Sequence, residues 1–421
     1  MQYVWQHRLW RSEDMVTNDG RRVRVLDPGL LNTDQGPDFF NAKVEIDGHT
    51  WIGNVEMHVR ATDWKRHNHH TDKAYDSVIL HVVEKDDAPV YRSNGERIPQ
   101  LVLQLSPRFN ESLDALLNAR TELPCAASLA SMPSLLVTEW VQRLAFERLH
   151  GKVERIRSLY DLTRGNWEEV CYVTLARALG FGVNSEAMER LARRTPLRLL
   201  HKHSDSLLQV EALLFGQAGM LAAPATDAYT QQLAREYAFL RNKFALEPME
   251  GEAWRVFRMR PPNFPYRRIA LLAHYIHGGF NLMHTLLECR DERSLREVFD
   301  VELDGYWATH YSLGKASTIT ARALGNSSVD IILINTVAPL YYAYGEIAGN
   351  ADAHSRAIGL LEALRPEHNA VVAAFAAAGL RCDDALTSQA LIQLKRDYCE
   401  ARKCIYCKFG HRLLSQAAHT P

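Results

Sequence analysis

What this sequence lacks narrows it first. Only seven of 421 residues are cysteine. Four of them, Cys125, Cys171, Cys289 and Cys382, are scattered, so a disulfide framework is not expected and reduced thiols or a metal site are. Long apolar runs are missing as well: the longest nearly apolar stretch, Ala370 to Leu380, falls short of the roughly twenty residues that cross a bilayer. The opening MQYVWQHRLW has no basic flank followed by an apolar core and a small-residue cleavage site. No secretory leader is read there, and a cytoplasmic chain with no membrane partner is the expectation. Charge of one sign is also lacking. With a formal net charge of −1 and a pI near 7.0, the molecule as a whole does not advertise a polyanion partner, although a local basic surface is compatible with those values. There is no internal repeat and no low-complexity tract.

What remains is the balance of a globular protein, 47% hydrophobic and 24% charged, in a chain too long for one ordinary core. Residues 1–120 read as β-rich. A short amphipathic helix carrying Tyr3, Val4, Trp5 and Leu9 comes first, then alternating segments at Arg22–Leu26, Ala42–Ile46, Thr50–Arg60, Val78–Val83 and Gln100–Leu105. Asp47-Gly48 between the second and third suits a tight hairpin turn. Residues 121–132 read as a linker, lying in a stretch with Pro107, Pro124, Pro133 and little periodicity. From Pro133 the period changes to 3.6, through Leu135, Leu136, Trp140, Leu144 and Leu149, and residues 133–421 read as a mainly α-helical domain. The fold class expected is therefore mixed, α+β, with the sheet first and the helices after it.

The chemistry-bearing residues concentrate early. Gly36-Pro37-Asp38 precedes the hairpin, and its second strand carries Gly53-Asn54-Val55-Glu56-Met57-His58. Residues two apart on a strand share a face, so Glu56 and His58 project together while Val55, Met57 and Val59 turn toward the core. Asp38 and Glu56 can supply oxygen ligands for Mg²⁺ or Mn²⁺, and His58, titrating near neutrality, can position or deprotonate a water. Seven of the eighteen histidines lie within the first 81 residues. His67, His69 and His70, with His81 from a neighbouring strand, can bind Zn²⁺ or another transition metal or contact phosphates, and Asp72 lies among them. The bland alternative is a solvated loop and a hydrogen-bonded core histidine.

The pattern Pro37-Asp38, an intervening strand, then Glu56-x-His58 resembles the PD-(D/E)xK, or restriction-endonuclease-like, nucleases. That resemblance implies a restriction-endonuclease-like α/β fold for the N-terminal domain. It also implies a divalent-metal-dependent hydrolysis of nucleic-acid phosphodiesters, with Asp38 and Glu56 as ligands and His58 standing where those enzymes usually keep lysine. The alternative is an inactive scaffold of the same fold that binds nucleic acid or protein. Over nearly its whole length the chain also resembles an uncharacterised bacterial family known as a domain of unknown function. The blocks that carry this are Asn32-Thr-Asp-Gln-Gly-Pro-Asp-Phe, Gly53-Asn-Val-Glu-Met-His, Asp63-Trp64 with His67 and His69, Leu80-His-Val-Val, Arg260-Pro-Pro-Asn-Phe-Pro and the terminal cysteines.

Two further features lie in the helical part. Cys399, Cys404, Cys407 and His411 offer four ligands within thirteen residues, a knuckle for a structural Zn²⁺, with an iron–sulfur cluster as the rival occupant and Cys382 as an alternative fourth ligand. The stretch Trp254–Arg268 carries Arg255, Arg258, Arg260, Arg267 and Arg268 interleaved with aromatics and no acid, which suits nucleic-acid binding by phosphate forks and base stacking. The same pattern also suits a packed structural loop. Asn326–Gly345 reads as a core helix kinked at Pro339.

Overall fold

The computed structural model describes residues 1–10, 15–225, 227–249, 254–317 and 323–419. The protein is mixed α/β, mainly helical, with one six-stranded mixed sheet. Two compact units divide it: Met1–Trp140 with Ala377–Leu380 and Leu394–Pro421, and Val141–Ala376 with Arg381–Gln393. The stretch expected to be a linker, residues 121–132, thus lies within the first unit, and the cysteine-bearing terminus groups with the sheet.

The sheet is built from β1 (Val23–Asp27), β2 (Leu30–Leu31), β3 (Phe39–Ile46), β4 (His49–Arg60), β5 (Val78–Lys85) and β6 (Gln100–Val102), in the order β1-β3-β4-β5-β6 with β2 also pairing β3. β3 and β4 form an antiparallel hairpin. Its turn places Asp47 and Gly48 at φ of 47° and 79°, the left-handed pair that matches strand twist. β5 then runs parallel to β4, with Glu56 opposite His81, and β6 runs parallel to β5. The continuous apolar run of β5 makes it an interior strand buried on both faces, while the shorter β6 lies at the edge. Gly53 is required where β4 meets β5: a Cβ there would stand 2.4 Å from Ile79 Cγ2 and 2.8 Å from the Ser77 carbonyl oxygen.

One face of the sheet carries the main core of this unit. Val55 and Met57 of β4 and Leu80 and Val82 of β5 pack with Trp5 of the helix Gln2–Gln6, Phe109 and Leu116 of the helix Pro107–Asn118, and Leu414 of the helix Lys408–His419. That last contact explains why the terminus belongs here: its apolar face completes the sheet's core, and Ser106 Oγ donates to the Ala417 carbonyl at 3.1 Å. Val59, expected inward with Val55 and Met57, is 56% exposed, because β4 has by then run past the packed helices. On the other face a smaller apolar group, Ala61, Trp64, Tyr75, Val78, Val83, Val90 and Ile98, sits beside Glu56, His58 and His81.

The second unit is helical around its own extensive core. The helix Leu207–Gln217 is buried from Val210 to Gln217, and Gly216 permits it to lie against the Tyr237 ring, which a Cβ would meet at 2.1 Å. One helix, Asn326–Ala348, is long and apolar enough by length and composition to cross a membrane, a feature not read from the sequence, and 61% of its apolar window is buried inside the protein. A π-helical turn at Leu333–Val337 followed by Pro339 accounts for the break in its regularity. The arginine-rich stretch lies in this unit. Arg255, Arg258 and Arg260 are exposed, whereas Arg267 and Arg268 are buried, which corrects the expectation that all five face a nucleic acid. Arg267 donates to the carbonyls of Trp307 (2.6 Å) and His310 (3.1 Å), and Arg268 donates to Asn263 and stacks on Phe181. Both guanidinium groups are turned into the fold and away from solvent.

Candidate metal centre

The side chains on the second face of the sheet meet at one point. β4 presents Glu56 and His58 on a shared face, as period-two alternation requires, and both are buried, at 5% and 8% exposure. The short helix Asp63–Arg66 and the two turns after it, His69–Thr71 and Lys73–Tyr75, fold the polar stretch back over this face and bring His67 and His69 to it. His58 Nε2 lies 3.1 Å from His67 Nδ1, and Glu56 Oε1 lies 3.6 Å from His58 Nε2 and 3.4 Å from His69 Nε2. The three imidazoles each bring a ring nitrogen within 4.8 Å of the other two, and among the described residues this is the group so gathered. Ligands about 2.0–2.1 Å from a tetrahedral ion stand roughly 3.4 Å from each other. The three imidazoles are close enough together to share one ion, and Glu56 Oε1 lies beside two of them.

The surrounding shell fixes these four groups. His81, fully buried on β5, places Nε2 2.9 Å from His58 Nδ1 and so sets the orientation of that ring. His69 stacks on Tyr75 with centroids 3.7 Å apart, and Trp64, anchored by its indole N–H to the Tyr91 carbonyl at 3.0 Å, presents an edge to both His69 and His81. The Asp38 backbone N–H donates to Glu56 Oε2 at 3.0 Å. Its carboxylate accepts from Met57 N–H at 2.9 Å and from the Gln2 side-chain amide at 2.6 Å. Asp38 therefore positions Glu56 and has both its oxygens engaged. Asp72 is exposed and caps the turn Lys73–Tyr75 through Ala74 N–H.

The electrostatics are those of a site short of positive charge. Burial, then the neighbouring Asp38 carboxylate, push Glu56 up to about 8, and burial raises Asp38 as well. Burial, then repulsion from His69 and His67, pulls His58 down to about 4. Burial, then His67, does the same to His69, and burial, then His58 and His69, takes His81 to about 3. Near neutral pH His58, His69 and His81 are uncharged, the form in which histidine binds a metal, so the contacts of His58 and His69 with Glu56 are not ion pairs. A cation bound there would favour the carboxylate form of Glu56.

The structure thus brings together Glu56, His58, His67 and His69, with Asp38 and His81 behind them. His58 stands among the other imidazoles, and His67 and His69, additional candidates in the sequence, lie at the centre of the arrangement. Trp64 and Gln2 have no place in a ligand motif; they are legible only once the turn and the N-terminal helix are folded against β4. At the terminus, His411 Nδ1 pairs with Tyr3 Oη at 2.7 Å and Nε2 with Ser415 Oγ at 3.3 Å, so its ring nitrogens are directed at partners other than the cysteines. Cys382 lies in the helical unit, its Sγ toward the Asp384 carbonyl. Residues 1–370 match the family model described as Protein of unknown function (DUF2851). No curated protein and no solved structure matches the chain.

Proposed function

The chain belongs to that family, and from this premise we propose that its sheet unit carries a transition-metal hydrolase site that cleaves phosphodiester bonds of nucleic acid. The observation that carries the reading is the gathering of ring nitrogens of His58, His67 and His69 within 4.8 Å of one another, with Glu56 Oε1 3.6 Å from His58 Nε2 and 3.4 Å from His69 Nε2. Three nitrogen donors favour Mn²⁺ or Zn²⁺ over Mg²⁺, which takes oxygen ligands and gives up its waters reluctantly. Such an ion polarises a phosphoryl oxygen and brings the pKa of a bound water to about 7. The chain's own residues do the rest: neutral imidazoles hold the ion, Glu56 balances its charge, Asp38 orients Glu56 and His81 orients His58.

Nucleic acid as substrate is supported by the arrangement the nuclease resemblance implies: Pro37-Asp38 at the mouth of an antiparallel hairpin, Glu56-x-His58 on its second strand, and a parallel strand beside it. The exposed Arg255, Arg258 and Arg260, with Phe257 80% exposed and stacked by Arg258, supply a second surface suited to phosphates and bases. The test is incubation of labelled single- and double-stranded DNA and RNA with wild type and His69→Ala, each with Mn²⁺, Zn²⁺, Mg²⁺ or chelator. Cleavage by wild type with Mn²⁺ or Zn²⁺, lost with chelator and in the variant, is the expected result. If wild type binds these substrates and cuts none under any condition, the hydrolase reading fails and the scaffold reading stands.

A further inference from the structure

Four of the seven cysteines converge in the first unit, and they are not the set that the terminal spacing suggests. The helix Pro107–Asn118 is followed by a loop ending at Cys125, which precedes the short helix Ala126–Leu129. The terminal segment is fastened to that loop at three points: Lys395 Nζ donates to the Glu122 carbonyl at 3.0 Å, Arg402 to the Ala119 carbonyl at 2.6 Å, and Cys404 Sγ faces the Leu116 carbonyl at 3.7 Å. Cys399 lies at the end of a π-helical turn, and Cys404-Ile-Tyr-Cys407 forms a tight turn closed by Cys407 N–H on the Cys404 carbonyl at 3.2 Å. Cys399, Cys404 and Cys407 are 6–8% exposed, Cys125 is half-buried, and all four are free thiols. Each of the four lies within electrostatic reach of the other three. Gly410 is needed to close the arrangement, since a Cβ there would stand 2.1 Å from the Cys404 carbonyl oxygen.

The donors around Cys407 indicate what the cysteines do. The backbone N–H groups of Phe409 and Gly410 lie beside its sulfur at the start of the helix Lys408–His419. A metal-bound thiolate is stabilised by such backbone N–H groups. Tight tetrahedral zinc holds thiolates at about 2.3 Å and hence roughly 3.8 Å apart. The cysteines are not gathered within 4.8 Å in the way the three imidazoles are, and a multi-iron cluster spreads its thiolates more widely than a single ion does.

We propose that Cys125, Cys399, Cys404 and Cys407 hold an iron–sulfur cluster that ties the terminal segment to the sheet unit. His411, turned to Tyr3 and Ser415, is not a ligand. The inference is independent of the hydrolase reading, because it concerns other side chains and is read by iron and sulfide.

The test is anaerobic purification of the full chain, with assay of iron, acid-labile sulfide and zinc and the visible spectrum of wild type, Cys125→Ser, Cys382→Ser and His411→Ala. Wild type, Cys382→Ser and His411→Ala should be brown, with iron and sulfide in equal amounts and broad absorption near about 400 nm, the charge-transfer signature of thiolate-bound iron. Cys125→Ser should lose most of both. Stoichiometric zinc without sulfide in wild type, or neither metal, overturns the cluster. Full retention of iron by Cys125→Ser, or its loss from His411→Ala as complete as from Cys125→Ser, overturns the ligand set. If Cys125→Ser does not fold, the wild-type iron and sulfide content decides by itself.

Discussion

Glu56→Gln should abolish hydrolysis, by a factor of about a thousand or more, while making the metal-free protein more stable at alkaline pH. Glutamine keeps the shape of the side chain and an amide oxygen to accept from Asp38 N–H, so the hydrogen bond that fixes position 56 survives. It removes the negative charge that faces the imidazoles, and with it the ion's charge-balancing ligand. Loss of electrostatic stabilisation of this kind commonly costs several kcal/mol in a transition state, on the order of a hundred- to a thousandfold for one interaction, and weakened ion binding adds to it. The stability gain has a separate origin. In the folded protein Glu56 is held at about 8, against 4.5 for its ordinary value, so the fold resists its ionisation. Above pH 8 a buried carboxylate near Asp38 destabilises the metal-free protein, by on the order of 1.4 kcal/mol for each pH unit that separates its folded from its ordinary pKa, and a neutral amide does not. A variant that is inactive yet melts higher than wild type in chelator at pH 9 separates a functional from a structural role. One that melts lower contradicts this account of Glu56.

The second large effect is in the pH dependence of the metal-free protein, which should be most stable near pH 6.5 and lose stability on both sides. On the acid side, His58 and His69 at about 4 and His81 at about 3 stay neutral in the fold, while the unfolded chain takes up protons below 6.5. Their contribution is fully present above pH 6.5 and is lost as pH falls toward 4. Each histidine loses on the order of 1.4 kcal/mol per pH unit of that descent; the three are in contact, so their sum is less than three independent contributions. On the alkaline side Glu56 acts in the opposite sense. Its raised pKa stabilises the protonated fold below about 4.5, and that contribution declines as pH rises to 8. Between 4.5 and 6.5 three histidines outweigh one glutamate, so stability rises with pH. Saturating Mn²⁺ or Zn²⁺ should flatten the alkaline limb, because the cation holds Glu56 as carboxylate, and steepen the acid limb, because protons compete for the same nitrogens. Thermal melts of chelated and metal-loaded protein across pH 4–9 measure both limbs. A chelated profile that is flat from 4 to 9 would remove the buried, neutral-histidine description of the site.

The strands of the sheet are legible because alternation and the Asp47-Gly48 turn are local signals, and the shared face of Glu56 and His58 follows from period two alone. The place of Val59 is not, since whether an inward-pointing residue is covered depends on how far the packed helices extend. The gathering of His67 and His69 beside His58 is only half legible. Their type and nearness in sequence mark them, but the return of residues 63–75 over β4 depends on Trp64 and Tyr75 packing on Val78, Val83 and Ile98, which is a tertiary event. Cys125 carries no local signal, because it is remote in sequence from the other three cysteines and no spacing rule joins it to them. Arg267 and Arg268 read like their exposed neighbours. Only the carbonyls of Trp307 and His310 and the Phe181 ring distinguish a structural guanidinium from a phosphate-binding one.

The most direct test of the central claim, that His58, His67, His69 and Glu56 hold one transition-metal ion, is a Mn²⁺ titration of chelator-treated protein followed by electron paramagnetic resonance. Mn²⁺ prefers nitrogen and oxygen to thiolate, so the cysteine site does not interfere. One tightly bound Mn²⁺ per chain showing imidazole-nitrogen coupling, with that binding lost in His69→Ala and weakened in Glu56→Gln, is the predicted result. Absence of tight binding in wild type, or binding unchanged in both variants, would contradict it.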